Sequence, residues 1–279
     1  VLQVQDIAIA VGSGAERKVL AEPVSFEVRR GEKWGIIGEN GVGKSTLLKI
    51  LQGQLPHVGK IRWAAQTKIS YFEQESTNLH PAKTVMQEIH DRVPTWLDYD
   101  VRSLLGKVRI TGEEVYKQVG VLSGGERAKV CFAVMMLEHG NILILDEPTA
   151  GLDPKERVRF RNLISSLAEN RIVILSTHIV SDVEYIANEI LIMKNGELIQ
   201  HGSPEKLLKP IEKCVWECDV SRKEAEELEL NYVTANLKHN NGAERLRIIS
   251  QEAPCRTAWN VDPTLEDLYL YYFAEVSEH

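Results

Sequence analysis

A glycine-rich loop is the feature that most constrains the fold of this chain. Residues 38–46 read G-E-N-G-V-G-K-S-T, after the apolar run 34–37 and before a helical apolar pattern that begins at Leu47. Glycines allow backbone conformations in which consecutive N–H groups point at one anion, and the positive end of the following helix adds to that field. This strand, loop and helix order predicts a site for a nucleoside triphosphate, with the Lys44 ammonium on the terminal phosphates and the Ser45 hydroxyl on Mg²⁺.

Two longer motifs follow this loop. Residues 122–126 read L-S-G-G-E, and residues 141–149 read N-I-L-I-L-D-E-P-T. The second motif is a short apolar run, typical of a buried parallel strand, that ends in the adjacent carboxylates Asp146 and Glu147. A carboxylate at the end of a buried strand is costly, so these two side chains are candidates for a functional role.

Three shorter patterns complete the set. Gln74 ends the run Y-F-E-Q, residues 151–153 read G-L-D, and His178 ends the run S-T-H after a further predicted strand. Considered alone, Gln74 is an ordinary surface glutamine and His178 an ordinary core histidine. The six motifs together, in this order, resemble the ATP-binding cassette (ABC) family over at least residues 1–205.

The resemblance implies a fold of the α/β class. It would contain a P-loop NTPase (RecA-like) core with an antiparallel β subdomain and a helical subdomain, followed by a small α+β C-terminal tail domain. We expect the nucleotide-binding domain at residues 1–210, with its helical subdomain at about 75–138, and an accessory domain at residues 211–279. The alternating apolar residues Val24, Phe26 and Val28 predict a strand of the antiparallel part.

The resemblance also implies Mg²⁺-dependent ATP hydrolysis between two copies of the cassette, each completing the site of the other. The residues expected to bind ATP are Gly38, Glu39, Asn40, Gly41, Val42, Gly43, Lys44, Ser45, Thr46, Gln74, Ser123, Gly124 and Gly125. The expected metal residues are Ser45, Gln74 and, through water, Asp146. The expected catalytic residues are Lys44, Glu147 and His178, of which Glu147 would polarise the attacking water and His178 would hold the γ-phosphate. Phosphoryl transfer depends more on positioning and charge neutralisation than on covalent catalysis.

One position departs from the family pattern. ABC proteins usually carry an aromatic residue about thirty residues before the P-loop lysine, where it stacks on adenine, but Val11 stands at that place here. Base stacking contributes about 1 to 3 kcal/mol in comparable nucleotide sites. We therefore expect weak ATP affinity and loose base selectivity.

The two halves of the chain resemble different branches of the family. Up to about residue 147, including residues 122–127, the chain resembles ABC-F proteins, which act on ribosomes and have no membrane domain. From about residue 148, residues 150–154 and 262–268 resemble the ATPase subunit of bacterial antibiotic-type exporters. The chain is interpreted as a chimera, natural or constructed, joined near the Asp146 block. Three functions stay open: an exporter ATPase subunit, an ABC-F-type translation factor that binds the ribosome, and an ATPase chimera without a physiological partner.

Composition bears on these alternatives. The net charge of -7 argues against DNA binding and weakens the ribosome alternative, because nucleic-acid binding usually leaves a basic footprint. No apolar stretch approaches the roughly 20 residues that span a bilayer, and the N-terminus shows no signal-peptide pattern. We therefore expect a cytoplasmic protein, held at the inner face of the cell membrane only through a separate membrane-spanning exporter subunit. Cys214 and Cys218 lack metal-site spacing and are expected to be thiols.

The last predicted helix leaves two interpretations open. Thr264 gives a capped start, and Leu265, Leu268, Tyr269 and Tyr272 make one helix face. The face either packs on its own small domain or forms a docking or dimer surface.

Overall fold

The structure is a computed structural model that describes residues 2–8, 10–11, 18–19, 24–72, 79–240 and 243–274. The strands in chain order are β1 (Leu2–Ala8), β2 (Ala10–Val11), β3 (Lys18–Val19), β4 (Val24–Val28), β5 (Lys33–Ile37), β6 (Val58–Trp63), β7 (Ile69–Phe72), β8 (Ile142–Asp146), β9 (Ile172–Thr177), β10 (Glu189–Lys194), β11 (Glu197–Gly202), β12 (Val215–Val220), β13 (Val233–Asn240), β14 (Ala243–Ile249) and β15 (Trp259–Asn260). The helices are α1 (Lys44–Leu51), α2 (Val85–His90), α3 (Asp98–Lys107), α4 (Gly124–Leu137), α5 (Pro154–Leu167), α6 (Val180–Ile186), α7 (Pro204–Leu208), α8 (Arg222–Asn231) and α9 (Leu265–Phe273). Gln74 lies outside the described residues, and so does the side chain of Val11.

A six-stranded sheet forms the centre of the molecule, in the order β11-β10-β5-β9-β8-β7. The five strands from β10 to β7 are parallel, and β11 pairs antiparallel with β10. Asn195 and Gly196 form the turn that joins these two strands, and both residues have the positive φ that such turns need. Strands β8 and β9 are buried along their whole length, as their apolar sequences predict. The carboxyl ends of β5, β8 and β9 therefore meet at one edge of the sheet.

An antiparallel sheet in the order β4-β1-β6 covers one side of the central sheet. Val24, Phe26 and Val28 alternate buried with exposed neighbours along β4, as predicted. They share one apolar cluster with Trp34 on β5 and with the buried face of α1. This cluster supports the strand and helix on either side of the glycine-rich loop.

The helical part of the chain lies on the other side and joins the core through aromatic rings. Helices α2 and α3 lie within the range expected for the helical subdomain, and Thr84 forms a capping box with Gln87 at the start of α2. The rings of Phe72 and Phe132 lie 5.0 Å apart, and those of Phe132 and Phe160 lie 5.0 Å apart in an edge-to-face contact. Aromatic pairs of this kind stabilise the folded state by more than the burial of their apolar area alone. Helix α4 is thus packed between β7 and α5.

The C-terminal part has a small antiparallel sheet of its own, in the order β13-β14-β12-β15. Helix α8 packs on it, and the two share a separate apolar cluster: Cys218, Val220, Ala225, Leu246 and Ile248. Among the residues that the structure describes, the four cysteines form no disulfide bond. None of the helices that the structure describes has the length and apolar character needed to cross a bilayer.

Helix α9 has a different partner. Thr264 caps it as predicted, in a capping box with Asp267. Leu265, Leu268 and Phe273 are buried in the large apolar cluster of the cassette, not in the small cluster of the tail. The helix contacts α6 as well as β13 and β14. The sequence left open whether this helix packs on its own small domain. It does so in part, through β13 and β14, and it also packs on the cassette through α6.

Candidate nucleotide site

The glycine-rich loop has the conformation that its sequence predicts. Gly41 and Gly43 have φ values of 82° and 101°, in the left-handed region that side chains disfavour. Gly43 also caps the N-terminus of α1. At Gly38, a Cβ atom would lie 2.3 Å from the carbonyl oxygen of Met193, so the close approach of β10 requires glycine there.

The Lys44 side chain lies inside the loop. It is only 5% exposed, and its Nζ donates hydrogen bonds to the carbonyl oxygens of Gly38 (2.9 Å) and Glu39 (3.0 Å). The same Nζ lies 3.3 Å from Oε1 of Glu147. The ammonium gives the loop a positive charge suited to an anionic ligand, and its carboxylate partner offsets part of that charge.

Asp146, at the end of β8, accepts hydrogen bonds from hydroxyl groups on three elements. Ser45 Oγ on α1 donates to its Oδ1 at 2.9 Å, and Ser176 Oγ on β9 donates to the same oxygen at 2.5 Å. Tyr71 OH on β7 reaches Oδ2 at 3.4 Å. A hydroxyl and a carboxylate that converge in this way offer the hard oxygen ligands that Mg²⁺ prefers. Gln74, the third expected metal residue, lies outside the described part of the chain.

Glu147 is held between two basic side chains. Its Oε2 lies 3.0 Å from Nδ1 of His178, opposite the contact with Lys44. Its backbone has a φ of 47°, a conformation that costs a non-glycine residue on the order of 1 kcal/mol or more. The backbone N–H of Glu147 donates to the carbonyl oxygen of Ser176 at 3.1 Å, which fixes this conformation. The carboxylate therefore lies at the sheet edge beside the loop.

The second glycine motif lies at the N-terminus of helix α4, with Ser123 as its capping residue. The Ser123 hydroxyl accepts from the backbone N–H of Glu126 at 3.2 Å, and the Glu126 carboxylate accepts from the Ser123 N–H at 2.9 Å. A hydrogen bond from Lys117 is the largest cause that lowers the pKa of Glu126 to about 2. No hydrogen bond found within the described residues joins residues 123–125 to residues 38–46.

The structure therefore brings together five of the residues that the sequence singled out. These are Lys44, Ser45, Asp146, Glu147 and His178. It leaves Ser123, Gly124 and Gly125 on a separate helix terminus. The structure gives the positions of these residues, and their roles in binding and catalysis remain predictions.

Two contacts at the site were missed by the sequence reasoning. Ser176 bonds to Asp146 because the parallel register of β8 and β9 places the two residues side by side. Thr149 donates a hydrogen bond to the fully buried Asp182 of α6, and Arg161 lies 3.7 Å from that carboxylate. Burial raises the pKa of Asp182. Ser176 is the first residue of the S-T-H run that ends at His178, so its place at the end of the neighbouring parallel strand was the signal that could have found it.

Comparison with known proteins finds a matching family model and several similar proteins. The family model for ABC transporter matches residues 21–150. The uncharacterized ABC transporter ATP-binding protein MJ1023 of Methanocaldococcus jannaschii is 30% identical over 270 residues, which cover 91% of this chain and 94% of the relative. The Nod factor export ATP-binding protein I of Bradyrhizobium diazoefficiens is 30% identical over 209 residues, 68% of each chain.

Other relatives are longer than this chain. ABC transporter F family member 2 of Arabidopsis thaliana is 31% identical over 192 residues, which are 68% of this chain and 28% of the relative. The matches to the first four curated relatives span only 24% to 28% of their length. Among solved structures, the cassette MJ0796, a dimer in a post-hydrolysis state with ADP and Pi, superposes with a TM-score of 0.63 at 20% identity and covers 73% of this chain and 98% of its own. This likeness confirms the predicted P-loop NTPase fold.

Proposed function

Because this chain belongs to the ATP-binding cassette (ABC) family of ATPases, we propose that it hydrolyses ATP beside the Glu147 carboxylate. One observation carries the proposal. A carboxylate at the end of a buried strand lies between the Lys44 ammonium, 3.3 Å away, and the His178 imidazole, 3.0 Å away. Carboxylate, ammonium and imidazole at one sheet edge supply the charges that phosphoryl transfer needs.

Each side chain has a separate task in this proposal. Lys44 and the loop amides bind the β- and γ-phosphates, while Ser45 and Asp146 hold Mg²⁺, with Gln74 as the third residue by family resemblance. When bound, Mg²⁺ neutralises charge on the phosphate oxygens. Glu147 accepts a hydrogen bond from the attacking water and orients it. His178 holds the γ-phosphate as negative charge moves onto the leaving oxygen.

The site is proposed to be completed by a second copy of the chain. Ser123, Gly124 and Gly125 begin α4, whose N–H groups and positive end suit a phosphate, yet they make no hydrogen bond to the P-loop in the described part of the chain. A head-to-tail pair would place this terminus of one copy over the ATP of the other. The related cassette that was solved as a dimer with ADP and Pi supports this arrangement.

The test of the ATPase proposal is Lys44→Ala. Loop amides cannot replace the ammonium charge, so the variant should lose ATP turnover and bind nucleotide more weakly while it keeps its folded far-UV spectrum. Lys60→Ala, on the exposed side of β6, is the control and should behave as the unchanged protein. Full hydrolysis in the Lys44 variant would remove the proposed function.

We further propose that the cassette is the energy-supplying subunit of a membrane exporter and acts at the cytoplasmic face, where ATP is available. The Nod factor export ATP-binding protein supports this role, since it matches 68% of this chain. The F-family relative matches the same share of the chain, and the resemblance to ABC-F proteins implies an alternative role on the ribosome. A chimera of the two would hydrolyse ATP without either partner.

Fractionation of cells that express a tagged chain separates these roles. An exporter subunit should sediment with membranes only when a membrane-spanning exporter subunit is co-expressed, and that subunit should stimulate hydrolysis. Recovery with ribosomes in a salt-sensitive manner would favour the F-family role instead. Recovery with neither fraction, together with ATPase activity, would favour the chimera. Replacing residues 71–121 by those of a known exporter cassette should then restore binding to the membrane subunit, because docking surfaces are specific.

A further inference from the structure

The proposed catalytic side chains lie on two neighbouring segments of the chain. The carboxylate segment, residues 146–149, begins at the last residue of β8 and carries Glu147. The histidine segment, residues 176–182, runs from the end of β9 into α6 and carries His178. The two segments meet where Oε2 of Glu147 lies 3.0 Å from Nδ1 of His178. Catalysis at this edge of the sheet therefore depends on how the segments are held relative to each other.

Hydrogen bonds join the two segments on both sides of this contact. At the strand ends, Ser176 Oγ donates to Oδ1 of Asp146 at 2.5 Å. At the far ends, the Thr149 hydroxyl donates to Oδ2 of Asp182, which lies in the first turn of α6. Each proposed catalytic residue therefore lies between the two hydrogen-bonded residues of its own segment.

The bond between Thr149 and Asp182 is more protected than the contact between the catalytic side chains. Thr149 and Asp182 are both 0% exposed, whereas the His178 side chain is 40% exposed. In the proposed mechanism His178 holds the γ-phosphate, and its contact with Glu147 then weakens. A fully buried bond is not exchanged for a bond to phosphate or water. The bond between Thr149 and Asp182 therefore keeps the two segments together after nucleotide has bound.

Thr149 also fixes the turn that follows Glu147. The carbonyl oxygen of Thr149 accepts from the N–H of Leu152 at 3.2 Å, and that of Glu147 accepts from the N–H of Ala150 at 3.2 Å. Glu147 enters this turn with a φ of 47°, so the direction of its side chain depends on how the turn is held. The bond to Asp182 holds the turn from the side of the histidine segment.

Asp182 contributes to the fold at a cost. Its Oδ1 has no hydrogen bond in the described part of the chain. Arg161 Nη1 lies 3.7 Å from that oxygen and donates instead to the carbonyl oxygen of Ser181 at 3.0 Å. Burial raises the pKa of Asp182. A fully buried carboxylate with an unbonded oxygen is unfavourable, so this side chain is a candidate for a functional role.

We propose that Asp182 is a positioning residue for ATP hydrolysis, whose hydrogen bond with Thr149 holds Glu147 and His178 at their working separation. The inference rests on the proposed ATPase function and adds to it a buried pair of side chains behind the site. The pair acts through the two catalytic residues and not on ATP itself. Its loss should therefore slow the reaction without weakening nucleotide binding.

Thr149→Val tests the proposal, since it removes the hydroxyl and keeps the shape of the side chain. We expect kcat to fall about tenfold, which corresponds to about 1.4 kcal/mol in the activation barrier, while KM for ATP changes by less than about twofold. Thr149→Ser keeps a hydroxyl and should hold kcat within about twofold of the unchanged protein. Asp182→Asn keeps an oxygen that accepts the bond and should hold kcat within about threefold.

A matched control separates positioning from stability, because the loss of any buried hydrogen bond destabilises the fold. Ser70 on β7 is also 0% exposed, and its hydroxyl accepts from the N–H of Gly140 at 3.1 Å, outside both segments. Ser70→Ala should lower the melting temperature, as Thr149→Val should, and leave kcat unchanged. All rates are measured well below the lowest melting temperature of the set.

Three results would overturn the proposal. An unchanged kcat in Thr149→Val would show that the bond does not position the catalytic residues. A low kcat in Thr149→Ser, or an equal loss of kcat in Ser70→Ala, would assign the effect to packing. A loss in Asp182→Asn equal to that in Thr149→Val would assign it to the charge of Asp182 and not to the bond. Glu147→Gln, measured in parallel, separates the two proposals: if it abolishes turnover while Thr149→Val does not, the ATPase proposal stands and the role of Asp182 falls.

Discussion

Replacing Glu147 by glutamine tests whether the ion pair with Lys44 competes with ATP. The two side chains are 13% and 5% exposed, with Nζ and Oε1 3.3 Å apart. At an effective dielectric constant of about 20, unit charges at this distance attract by about 5 kcal/mol before the loss of hydration is counted. Hydration lost by both groups offsets most of that attraction. A phosphate group that binds the Lys44 ammonium must nevertheless break its ion pair with Glu147.

Glu147→Gln removes this competition and keeps the shape of the side chain. Glutamine also removes the repulsion between the carboxylate and the γ-phosphate. We therefore expect ATP to bind at least about tenfold more tightly, which corresponds to about 1.4 kcal/mol. Turnover should fall by at least about 100-fold, since the group that orients water has lost its charge. Bound ATP should then accumulate, with dimers visible by size exclusion in the presence of Mg²⁺.

The assay is a pair of measurements on the same preparations. ATP affinity is determined by titration of a fluorescent nucleotide, and turnover by phosphate release. The matched control is Glu156→Gln, which breaks a Glu–Lys pair of similar exposure, 3.0 Å from Lys129 and outside the site. The control should leave both quantities unchanged. Equal or weaker ATP binding in Glu147→Gln would refute the competition argument, and near-normal turnover would refute the role of the carboxylate.

Two further predictions concern the adenine contact and the pH dependence of stability. Val11→Tyr should tighten ATP binding by about 1 to 3 kcal/mol and favour it over nucleotides with smaller bases, whereas no gain would mean that another group contacts adenine. The pKa of Glu126 falls from 4.5 to about 2, chiefly through Lys117, so its stabilisation is complete above pH 4.5 and is lost as the pH falls toward 2. Glu126→Gln should flatten the pH dependence of the denaturant midpoint in that window, by a small amount because the pair is partly solvated; an unchanged slope would contradict the assignment.

Local sequence patterns predicted most of the fold and part of the candidate site. The glycine-rich loop and the apolar strand that ends at Asp146 are each encoded in a few adjacent residues, so the sequence predicted the loop and the buried strand. The positive φ of Glu147 was not predicted. The bond from Ser176 to Asp146 depends on strand register, which a single sequence does not reveal. The hydrogen bond from Lys194 to the carbonyl oxygen of Tyr272 in α9 joins residues 78 positions apart. The apolar face of α9 was recognised, but the surface it covers is set by the tertiary fold.

The packing of the two halves bears on their proposed mosaic origin. The aromatic contacts from Phe72 through Phe132 to Phe160 cross the boundary near residue 147, where the sequence predicts that the two halves are joined. The ion pair of Lys129 with Glu156 crosses the same boundary. Because core contacts of this kind are sensitive to volume, recombination near residue 147 keeps a stable cassette only if both parents supply matching rings. A replacement of residues 71–121 exchanges Phe72 but leaves its partner Phe132, so an aromatic residue at position 72 is a requirement of that experiment.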